Sequence, residues 1–270
     1  LQLAADQKDL QAQDLLGSIY CDTNNDQHDI NKAIHFLSLV AEENNSEAQY
    51  LLGLIFYDGK LVAKDINKAV FYFDQASNNS NAAAQLILGL IYSKGEYIEV
   101  DRDKAIYYYE LAANHNHPKA LYNLGILYEK EKNFEEAYKY YKRAADLQYD
   151  KAQYNLGVLH YNGKCENANI EEAIEMFKLA ADKNNADAQF SLASIYSKGL
   201  KAEIDMSIAM KYFELAAKQN HTKALFNLGN FYEKGYYTRV NIDINKAIDN
   251  YSRGSDRNDF SSQYNLGHVY

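Results

Sequence analysis

The chain has 270 residues, 47% of them apolar, with 37 Asp and Glu against 28 Lys and Arg, a formal net charge of -9. That balance argues against nucleic acid as a partner, because phosphate binding relies on clustered Lys and Arg, and it weakly favours a basic protein or peptide. The longest apolar run, around Ala82 to Tyr92, is broken by Gln85 and is too short to span a membrane. With no signal peptide visible, a cytoplasmic setting is expected.

Along the chain a glycine after a leucine recurs as Gly17, Gly53, Gly89, Gly125, Gly157, Gly229 and Gly267, with Ala193 in the same slot. The gaps are 36, 36, 36, 32, 36, 36 and 38 residues. A second marker is an alanine: Ala33, Ala69, Ala105, Ala137, Ala173, Ala209 and Ala247, with an aromatic four residues on from Ala69 to Ala247. Periods of this size indicate stacked repeats. Each alanine stands 20 residues before the next glycine marker, whereas the step from glycine to alanine is 16, 12 in the fourth repeat and 18 in the seventh. Length variation is therefore confined to one connection, as expected for a rigid unit with one tolerant surface loop.

Both elements of a unit read as helices. Ala84, Leu88, Ile91 and Tyr92 in the first, and Ala105, Ile106, Tyr109, Ala112 and Ala113 in the second, follow steps of three and four that line one face. The only proline, Pro118, falls at a helix start, where it interrupts nothing. A mid-helix glycine costs about 1 kcal/mol against alanine, so the recurring marker predicts close approach of the partner helix. Gly59, Gly95, Gly163, Gly199 and Gly235, six residues after a marker, predict left-handed caps ending the first helix. Repeat four lacks both that glycine and four loop residues. Gly254 replaces an alanine found at Ala112, Ala144, Ala180 and Ala216.

The strings Ala188-Gln189 to Gly199 and Lys104-Ala105-Ile106-Tyr107-Tyr108-Tyr109-Glu110-Leu111-Ala112-Ala113 resemble the Sel1-like repeat, a relative of the tetratricopeptide repeat, over the whole chain. The fourth repeat has the tetratricopeptide spacing. The resemblance implies an all-α, right-handed α/α superhelix (solenoid) of stacked antiparallel helix pairs. Residues 1–270 are expected to form a single solenoid of about seven units. Leu3-Ala4-Ala5 has the register of Leu215-Ala216-Ala217, so the chain is expected to begin inside a second helix; it stops at Tyr270 inside a first helix, which suggests a segment truncated within a repeat at both ends. Open ends would permit self-association.

No nucleophile elbow, P-loop, zinc-protease or dinucleotide motif is present. The seven histidines are scattered, and His160 occupies a slot otherwise held by Tyr20, Phe56, Tyr92, Tyr128, Tyr196 and Tyr232, which makes it a packed substitute. Glu135-Glu136 and Glu171-Glu172 begin second helices, where the positive helix end accounts for them. Cys21 and Cys165 lie four repeats apart, too far to pair. Sequons at Asn44, Asn78, Asn220 and Asn250 keep a secretory-pathway adaptor in view. The reading is non-catalytic, with no cofactor and no metal.

The resemblance implies that first helices line a concave groove. Candidate protein- or peptide-binding residues three before the marker are Tyr50, Leu86, Tyr122, Tyr154, Phe190, Phe226 and Tyr264; those one after it are Leu54, Leu90, Ile126, Val158 and Asn230. The same aromatics could instead fill the seam between neighbouring helices. A clamp for C-terminal carboxylates would need lysine in the first column and asparagine in the second, and only Asn230 matches. Lys119, Lys151, Glu129, Glu233 and Lys234 are candidates for polar specificity. The chain thus reads as an interaction scaffold or adaptor, with a structural spacer as the alternative.

Overall fold

A computed structural model describes residues 1–26, 28–199, 204–235 and 242–269. Tyr270, expected to lie in a last first-helix, is outside them. The described residues form sixteen helices and no strand. Contacts divide the chain into two compact units, Leu1–Leu124 and Gly125–Tyr270.

The first unit holds α1 (Gln2–Asp6), α2 (Leu10–Cys21), α3 (Ile30–Glu42), α4 (Ser46–Asp58), α5 (Ile66–Asn78), α6 (Ala82–Lys94), α7 (Arg102–Asn114) and the start of α8 (Pro118–Lys130). The second holds the rest of α8, then α9 (Phe134–Asp146), α10 (Asp150–Tyr161), α11 (Ile170–Asp182), α12 (Ala186–Lys198), α13 (Met206–Lys218), α14 (Thr222–Lys234), α15 (Ile244–Ser255) and α16 (Phe260–Val269). Each helix packs on its sequence neighbours from α1 to α7 in the first unit and from α9 to α16 in the second, giving stacked antiparallel pairs in which even-numbered helices are first and odd-numbered ones second. α1 precedes α2 in the register of a second helix.

Local chemistry sets the helix ends. Second helices begin at an acid or amide whose side chain accepts a backbone N–H from the first turn, as Asp65 does from Lys68 at 3.0 Å and Asp101 from Lys104 at 3.0 Å. First helices start the same way at Asn45, Asn81 and Asn185. Gly59, Gly95, Gly199 and Gly235 close first helices in the left-handed region, at φ between 59° and 67°. In the fourth repeat Lys132 takes the left-handed seat, at φ 62°. The opposite turn, from second helix to first, uses Asn44, Ser80, Asn116, Gln148, Asn184, Asn220 and Asn258, all at φ between 54° and 63°. Asparagine tolerates this region better than most residues, which accounts for its abundance there.

One backbone bond explains why loop length can vary. In six repeats the N–H of the residue capping the second helix donates to the carbonyl three residues after the marker, as Asp65 to Phe56 (3.0 Å), Asn133 to Tyr128 (3.0 Å) and Asp243 to Tyr232 (2.8 Å). The loop's two ends are pinned to each other, so its interior can lengthen or shorten without moving either helix.

From Gly17 to Gly229 the glycine markers meet the side chain four residues past the alanine marker, whereas a Cβ on Gly267 would meet nothing within 4 Å. A Cβ built on Gly53 would stand 2.5 Å from the Phe73 ring, on Gly89 2.4 Å from Tyr109, on Gly125 2.4 Å from Tyr141, and on Gly229 2.3 Å from Tyr251. Close approach is therefore real, and an aromatic ring occupies the space. At Gly17 the neighbour is Leu37. Gly254 is likewise required, because a Cβ there would lie 2.3 Å from Ser262 Oγ.

Candidate functional site

Each first helix buries one stripe against the second helices. In α4 it is Ala48, Gln49, Leu52, Gly53 and Ile55. The buried glutamine recurs as Gln13, Gln49, Gln85, Gln153 and Gln189, and each donates Nε2 to the carbonyl eight residues earlier, in the last turn of the preceding second helix, at 2.9 to 3.4 Å. That carbonyl would otherwise be an unsatisfied helix-end group. Gln49 and Gln189 also accept from Asn79 and Gln219, both at 2.9 Å. Where leucine replaces the glutamine at Leu225, Arg253 of the following second helix reaches the same carbonyl, Ala217 O, at 2.7 Å. The recurring Ala-Gln dipeptide was the signal for this network, and sequence reasoning gave it no role.

The opposite side of the first helices carries the candidate residues. In the first unit Tyr50, Leu54, Leu90 and Tyr122 are half-buried and Leu86 is buried. The Tyr50 ring lies 6.0 Å from Phe73, the ring over Gly53, and Leu54 packs on the same cluster as Phe73, Ala84, Leu88 and Ile91. Burial, then Glu47 and Asp58, raise the Tyr50 hydroxyl pKa, which keeps it a neutral donor.

In the second unit Ile126, Tyr154, Val158, Phe190, Phe226 and Asn230 are half-buried, while Tyr264 is exposed. Tyr154, Phe190 and Phe226 each rest on the aromatic four residues past an alanine marker: Phe177 at 5.7 Å, Phe213 at 5.9 Å and Tyr251 at 6.3 Å. Each such ring meets its partner at a tilt of 39° to 60° and stays half-buried. Phe190 is also stacked on His221, 4.7 Å between centroids. Asn230 belongs to a polar node: Asn265 Nδ2 donates to Asn230 Oδ1 and to Tyr251 Oη, each at 3.1 Å, and Tyr251 donates to Glu233 at 2.7 Å.

Two of the candidate polar residues have partners within the fold. Glu129 and Glu233 accept from Tyr141 (2.8 Å) and Tyr251 (2.7 Å), so both anchor a buried tyrosine. In the third repeat Ser93 does this for Tyr109 at 3.0 Å. Tyr57, Tyr161 and Ser197 hold the equivalent position where the ring is Phe73, Phe177 or Phe213. Each of the three ring tyrosines thus has a hydrogen-bond partner at this position. Lys119, Lys151 and Lys234 are exposed.

A second periodic cluster lies where the helices of a pair begin and end. Tyr20 stacks on Phe36, Phe56 on Tyr72, Tyr92 on Tyr108 and Tyr128 on Tyr140, with interplanar angles of 12° or less. Lys32, Lys68 and Lys104 cover Tyr20, Phe56 and Tyr92 at 5.0 to 5.2 Å and pair with the capping Asp29, Asp65 and Asp101. His160 takes the aromatic slot as expected: it is buried, edge-on to Tyr138, with Nδ1 3.7 Å from Cys165 Sγ. Burial pushes the Cys165 thiol up and the His160 imidazole down, so the pair is held neutral, the opposite of an activated nucleophile. Both cysteines are free. Glu135-Glu136 and Glu171-Glu172 occupy the first turns of α9 and α11. No helix among the described residues is long and apolar enough to cross a membrane.

Stacked two-helix repeats with a buried seam and a half-open first-helix face define the helical-repeat class. The Sel1 repeat model matches residues 10–45, 46–81, 82–117, 150–185, 186–221 and 222–259, and the tetratricopeptide repeat model matches 118–148, the short fourth unit. The chain belongs to the Sel1 repeat family. It is similar in structure to a Sel1 repeat protein from Oxalobacter formigenes, with 26% identity and a TM-score of 0.85, covering 98% of this chain and 78% of that one. It is also similar to a protective antigen of uropathogenic Escherichia coli strains, described as displaying an SLR fold, at 24% identity and a TM-score of 0.87, covering 99% of this chain. The chain spans 58% of that antigen's length. No curated protein matches it. Proteins built from Sel1 and tetratricopeptide repeats generally mediate protein–protein interaction and are generally non-catalytic.

Proposed function

We propose that this chain is a non-catalytic scaffold that holds a protein or peptide against the face formed by its first helices. The observation that carries this reading is the repeated half-exposure of one set of side chains. Tyr50, Tyr154, Phe190 and Phe226 are each fixed by a ring of the second helix behind them while part of their own ring stays open. Aromatic side chains held in one conformation lose little entropy on contact with a partner, and Tyr is favoured where binding energy concentrates. Leu54, Leu90, Ile126, Val158 and Asn230 stand beside them one helical turn on, and Tyr122 and Tyr264 complete the set, whereas Leu86 in the same column is buried in the core.

The test separates contact from folding. Leu54→Ser, Val158→Ser and Tyr264→Ala leave the buried rings in place, so helicity is expected to persist, with a lower melting temperature where Leu54 and Val158 lose their core contacts, while capture of native partners from the source organism falls. Retained partners with all three substitutions combined would exclude this face.

A further inference from the structure

The first-helix face does not have the same chemistry in the two units. In α4 and α6 the positions two before and one after the marker are Leu51, Leu54, Ile87 and Leu90, all half-buried. In the second unit the same positions are Asn155 with Val158, Ser191 with Ser194, and Asn227 with Asn230. Charge is divided in the same way. Residues 1–124 carry 17 Asp and Glu against 9 Lys and Arg, whereas residues 125–270 carry 20 against 19. Almost the whole negative charge of the chain therefore belongs to the unit that shows the aliphatic strip.

The strip is continuous between the two helices. Asn81, which caps α6, reaches Ser46 O and Glu47 Oε2 at 3.4 Å each, so α4 and α6 start side by side. Tyr50 and Leu54 of α4 pack on the same cluster as Leu88 and Ile91 of α6. Glu47 and Asp58 bracket the α4 half of the strip, and the Asp58 side chain is 52% exposed. Its pairing with Lys60 at 3.8 Å involves two exposed groups and is easily exchanged for another cation.

We propose that the α4–α6 face docks a cationic amphipathic helix, with its apolar stripe on Leu51, Leu54, Ile87 and Leu90 and its Lys or Arg residues over Glu47 and Asp58. A helix fits better than an extended chain because aliphatic side chains offer no partners to buried peptide groups, and a helix satisfies its own. The cationic character follows from the surplus of eight acidic groups in this unit, which draws the partner in and disfavours acidic competitors. This inference rests on the interaction-face reading and assigns the partner's chemistry and its place.

The probe is a fluorescein-labelled Leu/Lys amphipathic helix of about 18 residues, long enough to be helical when bound, titrated with the whole chain and followed by anisotropy. Its controls are a peptide with every stripe Leu changed to Ser and a Leu/Glu peptide. The expected result is binding at least about tenfold tighter than to either control, weakened about tenfold or more by Leu54→Ser with Leu90→Ser and, separately, by Glu47→Lys with Asp58→Lys. The second pair changes exposed carboxylates, one of which, Glu47, also accepts from the α6 cap Asn81 at 3.4 Å, so a melt beside each titration separates loss of the site from loss of the fold. Glu175→Lys, at an exposed carboxylate on the second helix α11, should leave binding unchanged. Equal binding of the Ser-stripe peptide, or indifference to both double substitutions, would overturn the proposal. Sensitivity to Val158→Ser alone would also overturn it while keeping an interaction face in the second unit. Indifference to every substitution would remove both readings.

Discussion

The ring of Tyr109 lies across Gly89 so closely that a Cβ on that glycine would stand 2.4 Å from it, and the ring is held from its far end by the Ser93 hydroxyl at 3.0 Å. At the equivalent place Ala193 faces Phe213, which has no hydroxyl to anchor. In one repeat the methyl faces a buried phenylalanine that has no hydroxyl bond to keep. In the other the ring is tied.

Both positions should lose stability on exchange, for different reasons. Gly89→Ala should destabilise by about 1–3 kcal/mol, since overpacking outweighs the gain in helix propensity. Adding Tyr109→Phe should recover part of the loss. Ala193→Gly should cost about 1 kcal/mol from backbone freedom alone. Urea melts followed by circular dichroism would check all three, and a neutral Gly89→Ala would contradict the tied-ring account.

The glutamine and arginine devices should be interchangeable. Gln49→Leu strands the Ala41 carbonyl and the Asn79 amide, at a cost of about 1–3 kcal/mol. Gln75 stands in α5 where Arg253 stands in α15, so Gln75→Arg should restore most of the loss in the double variant while doing little alone. A thermodynamic cycle in denaturant measures the coupling; strict additivity would argue against the exchange.

His221 gives the chain a pH dependence whose sign can be worked out. Its Nδ1 accepts the Ala224 N–H at 3.2 Å, its Nε2 lies 3.3 Å from Asp187, and its ring rests on Phe190. Burial is the main cause of a pKa lowered from the ordinary imidazole value, with Lys223 adding to it and Asp187 opposing it. The folded state thus prefers the neutral ring. The stabilisation is fully present above the unfolded pKa of about 6.5 and is lost as pH falls through the lower folded value. His221→Asn keeps a cap of the kind seen at Asn45, Asn81 and Asn185, and should flatten the fall in stability below pH ~6.5. An unchanged slope would place the proton uptake elsewhere, His117 and His160 being lowered by burial as well.

Lys132 holds a left-handed conformation at φ 62°, where other repeats use glycine. Lys132→Gly should raise stability by about 0.5–1 kcal/mol, the relief of the side-chain clash exceeding the entropy glycine gains when unfolded. A lower melting temperature would refute this.

Much of the architecture could be read directly from residue order. The distance of 20 from each alanine to the next glycine, against 16, 12 or 18 in the other direction, already separated a rigid connection from a tolerant one. Gly59 and its counterparts announced their caps because only a left-handed seat asks for glycine at that place. These are local consequences of backbone sterics and helix periodicity, so one strand of text suffices to find them. The candidate face was legible only as columns. Whether Tyr50 or Tyr154 served the seam or the open face turned on the ring behind it, Phe73 or Phe177, 23 residues further on. Likewise Gln49 had no role until Ala41 O stood beside it, and Glu233 was a candidate for polar specificity with no partner in view until Tyr251 was placed. Burial and hydrogen-bond partnership depend on what packing brings together across helices, and no spacing along a single chain specifies that.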